Sequence, residues 1–179
     1  SATPGDVGAL GLMYQWGRKD PFLGSSSISS SVLAVSTGTW NVASDGSITN
    51  AEANPMTFYK DMYLANGTWA SSKTVYDPCP SGWKVPEGGD NGVWAKALGS
   101  SSQFTDYSLY DKTTGGVNFS GKFGSSSTIW YPGSGMRDGG GNLYKVNEAG
   151  NYWSTSDIGS SGYSLVFDRF GDVELSVPH

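Results

Sequence analysis

Residues 76–86 read YDPCPSGWKVP, and the prediction of the fold starts from this stretch. Its three prolines fix φ and remove backbone donors, so the stretch can be neither a helix interior nor a central strand. It also carries a large apolar side chain, Trp83, and the only cysteine of the chain, Cys79. We therefore predict a rigid connector that buries Trp83, joins two layers of the fold and organises the packing of the rest of the chain.

The composition indicates a single loop-rich domain that spans residues 1–179. A chain of this length can bury a sizeable core. Apolar residues make up 37% and charged residues only 15%, while the 26 glycines and the 13% of aromatic residues indicate many loops and a polar, uncharged surface. Such surfaces are common on secreted and cell-surface domains, and we expect this chain to be one of them.

Charge and hydropathy argue against two classes of partner. A net charge of −5 does not provide the basic surface that nucleic-acid binding requires. No apolar run approaches the roughly 20 residues that span a bilayer, so no membrane span is predicted. The chain opens SATPGDVG, which lacks the pattern of a signal peptide, and we expect a mature fragment.

Short strands dominate the pattern of the chain. Alternating apolar residues predict a half-buried strand within residues 8–23, and Asp45 followed by Gly46 predicts a hairpin turn. For residues 55–63 the pattern does not separate a short helix from irregular coil. Further strands are predicted around residues 32–35, 104–110, 115–123, 125–131, 143–146, 150–156, 163–168 and 173–177. These elements predict an α+β domain dominated by antiparallel pairing.

One helix is predicted over residues 91–98, NGVWAKAL. Asp90 or Asn91 would cap its start, and Gly99 would follow its end. The predicted inner face consists of Val93, Trp94, Ala97 and Leu98.

Several motifs, in their order along the chain, resemble one known family. The series is CPSGWKVP, a short tryptophan-containing helix, YPGSGMRDGGG, GNYWSTS and YSLVF, and it resembles the Fibrobacter-type major paralogous (FISUMP) domain. Upstream, YQWGRKDPF, ANPMTFY and KTVYDPCPSGW are similar to Bacteroidetes surface proteins in which this domain forms the adhesive tip of a fimbria. The resemblance covers roughly residues 10–179. It implies a C-type lectin-like fold with mostly antiparallel short strands, one or two short helices and long loops.

The chain departs from the family in two respects. The family usually ends with a strand like GFSVRCV, whose cysteine pairs with the one in CPSGW, and the present sequence reaches His179 before such a strand. We expect either a truncated chain or an unpaired Cys79 beside an exposed sheet edge. The tripeptides that bind calcium in sugar-binding C-type lectins (EPN, QPD, WND) do not occur in the sequence, so calcium-dependent sugar recognition is not predicted. We expect no metal and no other cofactor.

The resemblance implies a binding surface at the C-terminal strands. In relatives diversified by retroelements, YWSS and the strands after it form a scaffold whose exposed positions vary. Alternation along residues 163–168 and 172–177 predicts one inward and one outward face. The outward side chains, with the turn between the strands, combine an aromatic ring, a guanidinium and acceptors, which is typical of interface hot spots. The predicted ligand-binding residues are Asp157, Ser164, Val166, Asp168, Arg169, Phe170, Asp172, Glu174 and Ser176.

The remaining conspicuous residues are interpreted as scaffold. A tryptophan contributes a large buried apolar area, and Trp16, Trp83, Trp94 and Trp153 are all predicted in the core. The glycines at 139–141 lack the strand and helix context of a phosphate loop and predict a turn. For the arginine before this turn, Arg137, the resemblance implies a scaffold role, in which it pairs with backbone or acid groups.

No catalytic or metal site is predicted. Cys79 as a nucleophile would need a histidine base, and the sole histidine is at position 179. One cysteine supports neither a disulfide framework nor a zinc site, and the sixteen carboxylates show no spacing typical of a calcium loop.

Taken with the resemblance, these patterns predict a noncatalytic ligand-binding module. We expect an adhesin or fimbrial tip domain, anchored in a fimbria or the outer membrane, that includes a retroelement-diversified variable region. Its partner would be an unidentified protein or glycan on a host or bacterial surface. Two alternatives stay open: a structural pilus subunit completed by a strand from its neighbour, and an enzyme of the formylglycine-generating type. The latter needs a pair of reactive cysteines, whereas this chain has one.

Overall fold

The structure is a computed structural model, and it describes residues 9–24, 41–45, 47–61, 68–99, 104–105, 109–119, 129–138, 141–158 and 161–178. The predicted strand at residues 32–35 lies outside these ranges. Within them, short and mostly antiparallel strands predominate over two short helices, which confirms the predicted strand-rich α+β class.

The elements follow one another in a strand-rich order. They are β1 (Leu12–Met13), β2 (Phe22–Leu23), β3 (Asn41–Asp45), α1 (Ile48–Ala53), β4 (Thr57–Asp61), α2 (Val93–Leu98), β5 (Phe104–Thr105), β6 (Tyr110–Asp111), β7 (Gly116–Asn118), β8 (Trp130–Pro132), β9 (Met136–Arg137), β10 (Leu143–Tyr144), β11 (Ala149–Ile158), β12 (Ser161–Asp168) and β13 (Asp172–Pro178).

The largest described sheet has four antiparallel strands in the order β11-β12-β13-β5. Strands β12 and β13 form a hairpin, and their pairing shifts register between Ser164 and Leu165. On β12 and β13, Leu165, Phe167, Val173 and Leu175 are buried, as the alternation predicts. They join Trp94 of α2 and Phe119 in the main core cluster.

The prediction of a hairpin at Asp45 and Gly46 is wrong. Strand β3 pairs with β4 in parallel, and parallel strands need a crossover between them, which here contains α1. Ser47 begins the helix by accepting a hydrogen bond from the backbone N–H of Asn50 at 3.2 Å. Residues 57–61, where the pattern did not distinguish a short helix from irregular coil, form strand β4.

Helix α2 ends as predicted and begins later than predicted. Gly99 adopts the left-handed conformation, with φ of 69°, and closes the helix. The N-cap is Gly92, which has no capping side chain, rather than Asp90 or Asn91. On this helix Trp94 and Ala95 are buried, whereas Val93 is 40% exposed. The predicted inner face is therefore confirmed at Trp94 and wrong at Val93, while Leu98 is partly buried against the main core.

A buried arginine organises the region around β1 and β4. Arg18 is 1% exposed, and its guanidinium donates to the carbonyl oxygens of Thr57 at 2.7 Å and Pro55 at 3.2 Å. The guanidinium carbon lies 5.2 Å from the ring centroid of Phe22 and 5.7 Å from that of Tyr59. This residue therefore connects the turn after β1 to the start of β4 through both hydrogen bonds and cation–π contacts.

The prediction that the connector buries Trp83 is wrong, because the side chain is 72% exposed. Val85 is the residue of the connector that enters the core: it is 6% exposed and clusters with Trp16 and Trp69. The predictions for Trp16 and Trp94 are confirmed, since both are buried. Trp153 is partly buried and packs against the same cluster as Val85.

The connector is fixed by the carboxylate of Asp77, whose side chain is 1% exposed. One carboxylate oxygen accepts the backbone N–H of Cys79 at 2.8 Å, and the other accepts that of Val85 at 2.9 Å. The ammonium of Lys73 lies 3.0 Å from the same carboxylate. The two ends of the loop are thus joined through one acid group, and Trp83 lies on the segment between them.

Candidate binding surface at the 168–172 turn

The 168–172 turn, which joins β12 to β13, is held in place by its own first residue. The carboxylate of Asp168 accepts the backbone N–H of Phe170 at 2.8 Å and that of Asp172 at 3.3 Å. Gly171 has a φ of 89°, a conformation that a side chain would strain, and its N–H donates to the carbonyl of Asp168. Because these bonds involve the backbone, the side chains at positions 169 and 170 do not form the turn.

These two side chains form an exposed aromatic–cationic pair. Phe170 is 62% exposed, and the guanidinium of Arg169 lies 5.0 Å from its ring centroid. Arg169 also donates to the carboxylate of Glu148 at 3.0 Å, and both of these side chains are about half exposed. Each contact contributes less than about 1 kcal/mol at such exposure, and together they favour a position of the guanidinium beside the ring.

Glu148 belongs to a second turn, residues 145–148, which leads directly into β11. Its backbone N–H donates to the carbonyl of Lys145 at 3.0 Å. Two residues of this 145–148 turn adopt left-handed conformations without being glycine: Lys145 has a φ of 56° and Asn147 a φ of 60°. The two turns are neighbours because Ala149 pairs with Asp168 across β11 and β12.

The phenol of the buried Tyr110 holds the 145–148 turn through a hydrogen bond. Its hydroxyl donates to the carbonyl of Asn147 at 2.7 Å, and the residue is 7% exposed. Burial raises the pKa of Tyr110, and the nearby carboxylate of Glu148 raises it further. The phenol is therefore protonated at neutral pH and available as a donor.

The predicted site residues fall into three groups. Arg169 and Phe170 are exposed at the 168–172 turn. Partly exposed residues on the adjoining strands are Val166, Asp168, Asp172 and Glu174. The side chain of Ser176 lies outside the described part of the structure.

Two of the predicted residues do not share this surface. Ser164 was predicted to be exposed on the outward face, but it is 0% exposed. It pairs with Trp153 across β12 and β11, and so it lies on the face where Trp153 packs against the cluster that contains Trp16. Asp157 is exposed, but it pairs with Gly162 near the opposite end of β12. Asp168 lies six positions after Gly162 along the strand, so Asp157 lies about 20 Å from the turn.

Sequence reasoning missed the 145–148 turn. A partial signal was present, since Asn147 is a residue type that tolerates the left-handed conformation and favours turns. The pairing of Glu148 with Arg169 could not be derived, because it depends on the register of β11 against β12.

Arg137 and Cys79, which could in principle take part in chemistry, lie outside this surface. Arg137 donates to the carbonyl of Gly141 at 2.5 Å, which agrees with its interpretation as scaffold. Burial raises the pKa of the Cys79 thiol, as does the carboxylate of Asp77. Among the described residues, no group of three or more His, Cys, Asp or Glu side chains could hold a metal ion. The helices of the described ranges are all too short or too polar to span a membrane.

Compared with known proteins, the chain matches no protein-family model, no curated protein and no solved structure.

Proposed function

We propose that the chain is a noncatalytic ligand-binding module of the FISUMP type, with a C-type lectin-like fold, that acts as an adhesin or fimbrial tip domain on a bacterial surface. The order of the sequence motifs supports the family, and the strand-rich α+β architecture is compatible with it. The module contacts a protein or glycan partner through the 168–172 turn. Positions 169 and 170 are also the ones we expect to vary if the region is diversified by a retroelement.

The observation that carries this proposal is the exposure of Phe170 on a turn whose backbone is already fixed. A single exposed apolar side chain is ordinary on a protein surface. Phe170 differs because Arg169 lies against its ring, while Asp168 fixes the backbone on either side of it. A preorganised ring and guanidinium lose little conformational entropy on binding, so most of their contact energy contributes to affinity.

The test compares the wild-type domain with the double variant Arg169→Ala/Phe170→Ala. Biotinylated protein is applied to a glycan microarray, to fixed epithelial cells and to whole bacterial cells. We expect saturable binding to at least one of these surfaces, and a loss of about 30-fold or more in affinity for the double variant, since a hot spot contributes about 2 kcal/mol or more. Asp168 is left unchanged, because its removal would alter the turn itself.

Trp83→Ala is the matched control, since it removes another highly exposed aromatic side chain from a different loop. It should bind like the wild type. The proposal is refuted if the double variant retains wild-type affinity while it remains folded by circular dichroism, or if the wild-type domain binds nothing on the panel.

A further inference from the structure

Lys145 occupies a backbone conformation that is unfavourable for its residue type. Its φ of 56° lies in the left-handed region, which glycine adopts freely and a lysine rarely does. Asn147 has a similar φ, but asparagine tolerates that region better. Strained positions of this kind cluster at functional sites, so the lysine side chain is a candidate for a role of its own.

The surroundings hold the 145–148 turn in this conformation. Tyr110 donates to the carbonyl of Asn147, and the N–H of Asn147 donates to the carbonyl of Gly133 at 2.6 Å. The N–H of Ala149 donates to the carbonyl of Lys145 at 3.0 Å. The turn is therefore a rigid support, comparable to the 168–172 turn beside it.

The turn presents a second aromatic–cationic pair next to the first. Tyr144 is 40% exposed, and the ammonium of Lys145 lies 6.0 Å from its ring centroid. Glu148, in the same turn as Lys145, forms an ion pair with Arg169 and so links the second aromatic–cationic pair to the first. Arg169 thus has a carboxylate partner, whereas Lys145 forms no ion pair within the described ranges.

The shape of this surface favours a protein over a small sugar. Sites for small ligands are concave and enclose most of the ligand. Phe170 and Arg169 instead protrude from the tip of a hairpin. A described cleft of about 300 Å³ lies elsewhere, between Arg18, Glu52 and Tyr76, and no residue of either turn lines it. A protruding ring needs a pocket in its partner, which a folded protein provides.

We infer that the 145–148 turn extends the binding surface, and that the partner is a protein that offers an apolar pocket to Phe170 and a carboxylate to Lys145. This inference rests on the proposed function and narrows it from protein or glycan to protein. It assigns Lys145 the role of an unpaired positive charge on this surface, and it assigns Glu148 the role of holding Arg169.

The experiment uses three substitutions at one position, measured on the cell surface that the wild-type domain binds. Lys145→Gly should melt at or above the wild-type temperature, because glycine relieves the left-handed strain, yet bind about tenfold more weakly. Lys145→Glu should lower the binding affinity more than tenfold, because it places a like charge against the partner's carboxylate. Lys145→Arg keeps the charge and should retain binding.

Two treatments of the same cells identify the class of partner. Digestion with proteinase K should abolish binding of the wild-type domain, whereas periodate oxidation of glycans should leave it unchanged. The inference is overturned if binding is lost after periodate, survives the protease, or is unaffected by Lys145→Glu. In each of those outcomes a loss in the Arg169→Ala/Phe170→Ala variant would still support the proposed function, so the two failures are distinguishable.

Discussion

The connector at residues 76–86 allows a direct comparison between a polar and an apolar anchor. Sequence reasoning assigned its stability to burial of Trp83, whereas the structure shows Trp83 72% exposed and the Asp77 carboxylate bound to both ends of the loop. We therefore predict that Asp77→Ala destabilises the protein far more than Trp83→Ala does.

The contacts set the expected magnitudes. Asp77→Ala removes a carboxylate that accepts two backbone N–H groups and lies 3.0 Å from Lys73. The N–H of Val85 would then be left buried without an acceptor. We expect the free energy of unfolding to fall by about 3–5 kcal/mol, as in other broken charge–hydrogen-bond clusters. Trp83→Ala should change it by no more than about 0.5 kcal/mol, as expected for an exposed side chain.

The pH dependence provides a second measurement. Burial by itself would raise the pKa of Asp77, but the hydrogen bonds from Val85, Cys79 and Lys73 outweigh it, and the pKa in the folded protein lies below its ordinary value. Between the lowered folded pKa and the unfolded value of about 4, the unfolded chain binds more protons. The stability contributed by Asp77 is thus complete above pH 4 and is lost as pH falls through the folded pKa.

Both variants are unfolded in guanidinium at pH 7 and at steps down to pH 2.5. Unfolding is followed by far-ultraviolet circular dichroism, because removal of Trp83 would change the fluorescence signal. Asp77→Asn serves as the isosteric control, and it should lose the acid dependence that belongs to this carboxylate. The reasoning is refuted if Asp77→Ala costs less than about 1 kcal/mol while Trp83→Ala costs more than about 3 kcal/mol.

Two further predictions concern close packing and the buried arginine. Gly162→Ala would place a Cβ 2.6 Å from the ring of Trp16, and this ring is held by the hydrogen bond that its Nε1 donates to the carbonyl of Ser154 at 3.0 Å. We expect the free energy of unfolding to fall by about 1–3 kcal/mol in denaturant unfolding, and an unchanged midpoint would contradict this. Arg18→Lys cannot reproduce the forked donation to Thr57 and Pro55, so the unfolding free energy should fall by about 2–4 kcal/mol; a loss below about 1 kcal/mol would show that a point charge suffices.

Local features of the fold could be predicted from the sequence because they depend on neighbouring residues. Gly99 ends α2 as expected, since only glycine adopts its left-handed conformation without strain. Alternation along β12 correctly placed Leu165 and Phe167 inside. The predicted exposure failed one residue earlier, at Ser164, because its face is covered by the cluster that Trp153 joins, and no pattern within β12 records that long-range contact.

The candidate site could be predicted only in part for the same reason. The chemistry of Arg169 and Phe170 was visible in the sequence, and so was their position in a turn. Glu148 was not assigned to the site, because twenty-one positions separate it from Arg169 and only the pairing of β11 with β12 brings them together. Asp157 was assigned to the site, but it pairs with Gly162 near the end of β12 that lies away from the 168–172 turn.

The two most exposed aromatic rings of the described loops lie on backbones that are held in the same way. Trp83 follows Asp77 and Phe170 follows Asp168, and in each case the aspartate carboxylate accepts two backbone N–H groups of the loop. Because the loop backbone is held by the acid, neither ring is needed to maintain the fold. At the 168–172 turn, which carries the proposed contacts, the exposed side chains can therefore change at little cost in stability, and that separation is what a binding module with variable contact positions requires.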